Sequence, residues 1–174
     1  MSEQTNTNTG EHGGRRRRVV WGTFILGLGI GGFFDGIVLH QVLQWHHMLT
    51  NVEPLTTMAT FELNTLWDGL FHMFAYVCTL IGIALVWSAT RLPSFRWSTK
   101  LLVGGLLVGW GAFNVVEGIV DHHILQIHHV RSGPNQLWWD LGFLTWGAIM
   151  LVGGLLLMRA GDRDIRRQTA PVTR

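Results

Sequence analysis

The chain has 174 residues, 48% of them hydrophobic and 14% charged, with a formal net charge of +2. That charged fraction is far below the roughly 25% usual in soluble domains, and with nine Trp and 22 Gly in long apolar runs it excludes an ordinary soluble domain in favour of a membrane protein. The basic residues are bunched, with no aromatic-laced polar face, which excludes a nucleic-acid module; a single cysteine, Cys78, excludes an intrachain disulfide.

In chain order, Met1 to Gly14 is polar and Gly-rich and is expected to be disordered. Arg15 to Arg18 read as a topology anchor that closes an N-terminal tail, residues 1–18. The apolar run from Val19 is too long for a signal peptide and lacks a small-residue cleavage site. It predicts a first membrane helix from about Val19 to Trp45. Further spans are predicted from about Leu66 to Trp87, Leu101 to Ile127 and Leu137 to Met158, each able to cross about 30 Å of hydrocarbon. Residues 19–90 then make one hairpin, 91–100 a loop, 101–158 a second hairpin and 159–174 a C-terminal tail. The loop holding Glu53 and Pro54, from Met48 to Leu63, is expected to form a short surface helix over the outer end.

One stretch occurs twice. Asp35-Gly36-Ile37-Val38 leads through His40, Leu43-Gln44 and Trp45 to His46-His47; Glu117-Gly118-Ile119-Val120 leads through His122, Leu125-Gln126 and Ile127 to His128-His129. Each copy closes a Gly-rich span, and small residues let membrane helices approach closely, so spans one and three are expected to pack near the axis. Asn64 and Asn135 open the two following spans, where an Asn side chain can cap a helix, and Asp68 and Asp140 follow them. The expected fold is therefore all-α: a polytopic membrane four-helix bundle of two tandem helical hairpins, related by a pseudo-two-fold axis along the membrane normal.

Basic residues set the orientation. Arg15 to Arg18, then Arg91, Arg96 and Lys100, then Arg159, Arg163, Arg166 and Arg167 fall on one side, and Arg131 alone on the other. Both termini are thus expected in the cytoplasm and the His-His pairs at the outer face, with Trp45, Trp67, Trp138 and Trp139 at the outer interface and Trp21, Trp87 and Trp97 at the inner one.

Ionisable groups inside a membrane are costly and generally functional. Counted along continuous α-helices, His40, His72 and His122 share one depth, with Asp68 and Asp121 beside them and Asp35 and Glu117 below. His46, His47, His128 and His129 fall at the interface about 10 Å away, with His40, Gln44 and His47 on one stripe and His122, Gln126 and His129 on its counterpart. Acids and imidazoles on facing helices are how bundles hold metals, and this mixture suits iron, zinc, copper or manganese. On that reading His40, His72 and His122 are ligands, Asp68 and Asp121 supporting carboxylates, and Asp35 and Glu117 orient ligands or pass protons. His46, His47, His128 and His129 collect the ion or complete a second site, and Glu117 or Asp121 is the candidate general base. The plainer readings are solvated caps for the interface His-His pairs, a buried imidazole bonded to a carboxylate or carbonyl for the deeper ones, and helix-packing hydrogen bonds for the acids. His123, aligned with Gln41, is expected to be peripheral. Asp140 is expected simply to favour its helix N-terminus, because Leu144 stands where the second span has His72, leaving an asymmetric site.

The doubled acid-Gly-Ile-Val…His…Leu-Gln…His-His pattern and the Asp68…His72 pair resemble a family of small bacterial integral membrane proteins of the DUF2243 type. The resemblance covers about Gly22 to Met158. It implies a bacterial inner-membrane location and, through companionship with respiratory-oxidase assembly proteins, copper or haem handling. The residues themselves leave three classes open: a transition-metal site for redox, hydrolytic or metal-delivery chemistry; a haem b carrier using His40, His72 or His122 as axial ligands; and a small proton or ion transporter, which this chain size suits only as a homo-oligomer.

Overall fold

The structure, a computed structural model, describes residues 3–92, 96 and 98–169, with side chains from residue 13 onward. Trp97, expected at the inner interface, lies outside the described residues. Four long helices make up the fold: α1 (Glu3–Phe33), α2 (Met58–Thr90), α3 (Thr99–Glu117) and α4 (Gln136–Thr169). α1 runs on into a π-helical segment, Phe34–Val42, and α3 into another, Gly118–Ile124. All four are long and apolar enough to cross a membrane, over Gly13–Val42, Met58–Thr90, Thr99–Ile124 and Gln136–Gln168. They form a polytopic helical bundle, with no strand among the described residues. α1 begins at Glu3, inside the stretch expected to be disordered: a chain already turning as a helix extends without a new nucleus.

The order across the bundle is α2, α1, α3, α4. Among the described residues α1 packs on α2 and α3, α3 packs on α1 and α4, and α2 and α4 do not meet. About half of the α1 span is buried and 44% of the α3 span, against 17% for α2 and α4. Glycine makes the central crossing possible. A Cβ on Gly109 would overlap the Phe24 carbonyl, and one on Gly27 the Leu106 carbonyl, so α1 and α3 touch backbone to backbone. The outer contacts correspond as well: Gly22 lies against Val86 and Gly104 against Met158, Gly29 against Ala75 and Gly111 against Gly147. At the end opposite the His-rich stretches Arg16 reaches Asp162 with two bonds of 2.9 and 2.7 Å, and Lys100 pairs with Asp164 at 2.8 Å.

The two π-helical segments end alike. Leu43 N–H donates to Val38 O and Leu125 N–H to Val120 O, after which Gln44 (φ 49°) and Gln126 (φ 51°) turn left-handed. Trp45 N–H then reaches back to Leu39 O and Ile127 N–H to Asp121 O, so each chain reverses sharply. A left-handed residue with a Cβ costs about 1 kcal/mol relative to glycine. Gln44→Gly and Gln126→Gly are each expected to raise the melting temperature of the detergent-solubilised protein by a few degrees; a fall would show that the glutamine side chains carry contacts of their own.

The loop to α2 is a series of turns rather than the expected surface helix, because Thr57 starts α2 itself with a capping box to Thr60. Neither Asn caps its helix. Asn64 lies a turn inside α2, fully buried, accepting from Leu49 N–H and donating to Glu53 O and Thr60 O, which fastens the loop down. Asn135 takes a left-handed φ of 66° just before α4, and its backbone carbonyl accepts from Trp138 N–H.

Candidate metal centre

An acid and a His five residues apart lie about 140° apart around an α-helix and could not share a face. The π-helical segments change this, because i→i+5 hydrogen bonding stacks residue i near residue i+5. Asp35 and His40 are thereby brought together, with Oδ2 and Nε2 2.9 Å apart. Glu117 and His122 converge in the same way, and both join a group with His128. The reversals at Gln44 and Gln126 then fold the His-His pairs back into the bundle. The His40 and His46 ring centroids are 4.3 Å apart and those of His122 and His128 4.9 Å. His46 and His128 stack face to face between the halves, 4.7 Å apart and 4° from parallel.

This corrects the depth count. His46 and His128 are fully buried beside the deeper imidazoles, not about 10 Å above them, and the α-helical stripes through Gln44 and Gln126 do not exist, because the helices have ended before those residues. Within the cluster, His40, His46 and His128 offer three ligand nitrogens within 4.8 Å of one another, and Glu117, His122 and His128 offer one carboxylate oxygen and two nitrogens within the same limit.

The imidazoles of the cluster are held by their other nitrogen, except His122, which has no hydrogen bond at either. His46 Nδ1–H donates to Val130 O at 2.8 Å, and His128 Nδ1–H to Met48 O at 3.0 Å, so each half steadies its ring on the other half's loop. A carbonyl only accepts, which places the proton on Nδ1 and leaves Nε2 with a free lone pair. Asp68 accepts from His40 Nδ1–H (2.9 Å), His47 Nδ1–H (2.6 Å) and Met48 N–H (2.9 Å). Asp140 accepts from His129 Nδ1–H (2.7 Å) and Val130 N–H (3.0 Å), with His122 Nδ1 at 3.6 Å.

Asp140 thus matches Asp68 in holding a closing His-His pair and is not merely a helix-terminus acid, but the asymmetry expected in favour of the second span holds for these carboxylates: Asp68 bonds His40, and Asp140 stops short of His122. The signal was present in the sequence: Asn64…Trp67-Asp68 matches Asn135…Trp139-Asp140. Leu144 stands where the second span has His72, but His72 itself lies outside both ligand groups. Its Nδ1–H is taken by the Asp68 carbonyl at 2.7 Å, and a Cβ on Gly36 would lie 2.7 Å from its Nε2. Leu144 presses on Gly118 in the same way, so both side chains fill a notch that glycine leaves. His123 is exposed, with Nδ1–H on Gly118 O, and Asp121 is half-buried outside both ligand groups.

The unsatisfied atoms are the telling feature. Asp35 Oδ2, His40 Nε2, His46 Nε2, Glu117 Oε2, both nitrogens of His122 and His128 Nε2 are buried without a hydrogen-bond partner. Buried polar groups are nearly always paired, and here the orphans face one another. Asp35 Oδ2 also lies 3.9 Å from His46 Nε2, and Glu117 Oε1 3.7 Å from His128 Nε2.

Burial holds the His46 imidazole down at a pKa of about 3 and that of His128 at about 4, against an ordinary 6.5. Both are therefore neutral at pH 7. A lowered folded-state value means that the unfolded chain binds more protons between these limits, so stability is complete above about pH 6.5 and drains away below it. The metal-free protein is expected to melt several degrees lower at pH 4.5 than at pH 7.5 in one detergent; equal melting points would show these rings to be hydrated.

Four apolar helices around a buried group of imidazoles and acids define a polytopic membrane protein with a polar centre. The chain belongs to the family described as predicted membrane protein (DUF2243), whose model matches residues 22–161. No curated protein and no solved structure matches it significantly.

Proposed function

We propose that this protein holds divalent transition-metal ions in two carboxylate-and-imidazole sets, Asp35/His40/His46 and Glu117/His122/His128, which meet where His46 stacks on His128. The observation that carries the reading is the group of buried carboxylate and imidazole atoms that turn toward one another without a hydrogen-bond partner. His40 Nε2 and Asp35 Oδ2 lie 2.9 Å apart, a spacing that a cation bound by both or a shared proton would satisfy. Two imidazoles and one carboxylate per set favour iron, manganese or zinc over soft copper(I). Asp68 and the Met48 and Val130 carbonyls fix the ring orientation of His40, His128 and His46 from behind. The ion's chemistry would be the polarising of bound oxygen groups or redox; Asp121, just outside the ligands, is the acid placed to exchange protons.

Access is available. A cavity of about 520 Å³, lined by Gln44, His47, Thr50, Thr65 and Asp68, reaches His40 and His46 from the loop end. The lone Arg131 on that side lies over Trp45 at 5.3 Å and Trp139 at 5.6 Å, while the other basic clusters sit at the opposite end. This supports cytoplasmic termini and an outward-facing metal centre in a bacterial inner membrane. Metal handling beside a respiratory oxidase is the physiological setting that the family resemblance suggests.

A haem would need two imidazoles aimed at each other across a flat slot, and the face-to-face stacking of His46 on His128 counts against one. The alternative of a proton-holding device has one favourable observation, His40 lying 2.9 Å from both Asp35 and Asp68.

The deciding measurement is elemental analysis of untagged protein purified from cells. Up to two transition-metal ions per chain are expected, falling sharply in His122→Ala and His40→Ala but unchanged in His72→Ala and His123→Ala. A metal-free wild type that takes up none on incubation with iron, manganese or zinc would overturn the ion reading; an equal loss in all four variants would mean adventitious binding.

A further inference from the structure

The membrane-facing cleft between α2 and α3 leads to the same centre from another direction. Among the described residues the backbones of these helices stay apart, Phe71 of α2 reaching Phe113 of α3 only by its ring, and α1 forms the floor between them through Phe24 and Leu28. The result is a cavity of about 320 Å³ walled by Phe71 and Phe74 on one side and Phe113 and Val116 on the other, with Met48 at its loop end. Its polar end consists of Glu117 and Asp121. Glu117 is buried and its Oε2 has no hydrogen-bond partner. Phe71 also stacks on His40 at 5.8 Å and on Phe113 at 5.9 Å, so aromatic rings run from the cavity wall to the metal centre.

We infer that this cleft binds a membrane-dissolved single-ring molecule with a hydroxyl donor, of the hydroquinone or phenol class. The reasons are chemical. The walls are aromatic and accept a flat ring, and the size is at the lower end of small-molecule pockets. Each acid offers carboxyl oxygens that accept hydrogen bonds, and a donating hydroxyl answers them. The open side lies between two helices whose exposed faces carry large apolar residues, so the ligand arrives from hydrocarbon rather than water. A lipid acyl chain would fit the walls and leave both acids unanswered. The inference deepens the metal reading in one respect, since Glu117 belongs to one ligand set and would place the hydroxyl beside the ion.

The test is equilibrium binding of decylhydroquinone to the purified full chain, with its dimethyl ether as the donor-free control and metal content measured on the same samples. The diol is expected to bind about tenfold or more tightly than the ether, and Val116→Trp, an exposed wall position, to weaken the diol by about tenfold with its metal content unchanged. Asp121→Asn should narrow the gap between diol and ether. An ether that binds as well as the diol, or a Val116→Trp protein that binds as well as wild type, would overturn the inference in favour of ordinary lipid in the cleft. Metal-free protein that still binds the diol upholds this inference and sinks only the ion reading; metal-loaded protein that ignores the diol does the reverse.

Discussion

His128→Ala is expected to abolish metal binding more completely than any other single substitution in the cluster. His128 Nε2 lies within ligand distance of both groups, His40/His46 and Glu117/His122, and its ring forms half of the stacked pair between the halves. Loss of a residue behind a ligand weakens metal binding by roughly 10–100-fold; loss of a shared ligand should exceed that, by about a hundredfold or more. The same change frees the Met48 carbonyl, which accepts the His128 Nδ1–H bond and sits in the segment joining the loop to Asp68. A fall in stability is therefore expected alongside the metal loss. His129→Ala supplies the comparison: it removes a bond to Asp140 but no atom of either group. Competition of each purified variant against a chelator of known affinity measures the difference. If His128→Ala and His129→Ala lose metal equally, the ion does not sit between the halves.

Gly109→Leu is expected to prevent correct assembly altogether. The added Cβ would overlap the Phe24 carbonyl, an atom of helix backbone that no rotamer change can move aside. α1 and α3 would have to separate, and with them the π-helical segments that carry Asp35, His40, Glu117 and His122. The expected readout is loss of the monodisperse peak in detergent chromatography and of all bound metal. Gly153→Leu is the control, since a Cβ there meets nothing within 4 Å, and it should behave as wild type. A folded, metal-loaded Gly109→Leu protein would show that the crossing is looser than backbone contact.

Asp68 and Asp140 show where reading by analogy failed. Both follow an Asn at a similar interval, so their equivalence was visible; the Leu144 replacement of His72 obscured it. In three dimensions His72 and Leu144 turn out to occupy matching notches against Gly36 and Gly118, a packing role in which a ring and an aliphatic chain substitute for each other. The acids instead answer the folded-back His-His pairs, which no helical periodicity can anticipate.

The amino-acid sequence by itself determined the membrane class, the four spans and the two matching His-rich stretches, because hydropathy and self-similarity depend only on local composition and order. Acids and imidazoles inside an apolar run also stand out, since they have no bland solvent to face, but that signal does not separate His72, outside both ligand groups, from His46 and His128 within them. Only the tertiary structure decided how they converge. The switch to i→i+5 bonding puts acid and His on one face, and the left-handed turns at Gln44 and Gln126 send the closing His-His pairs inward. Both depend on the other half being in place: His46 and His128 are anchored by carbonyls across the interface, so the site exists only once α1 and α3 have met.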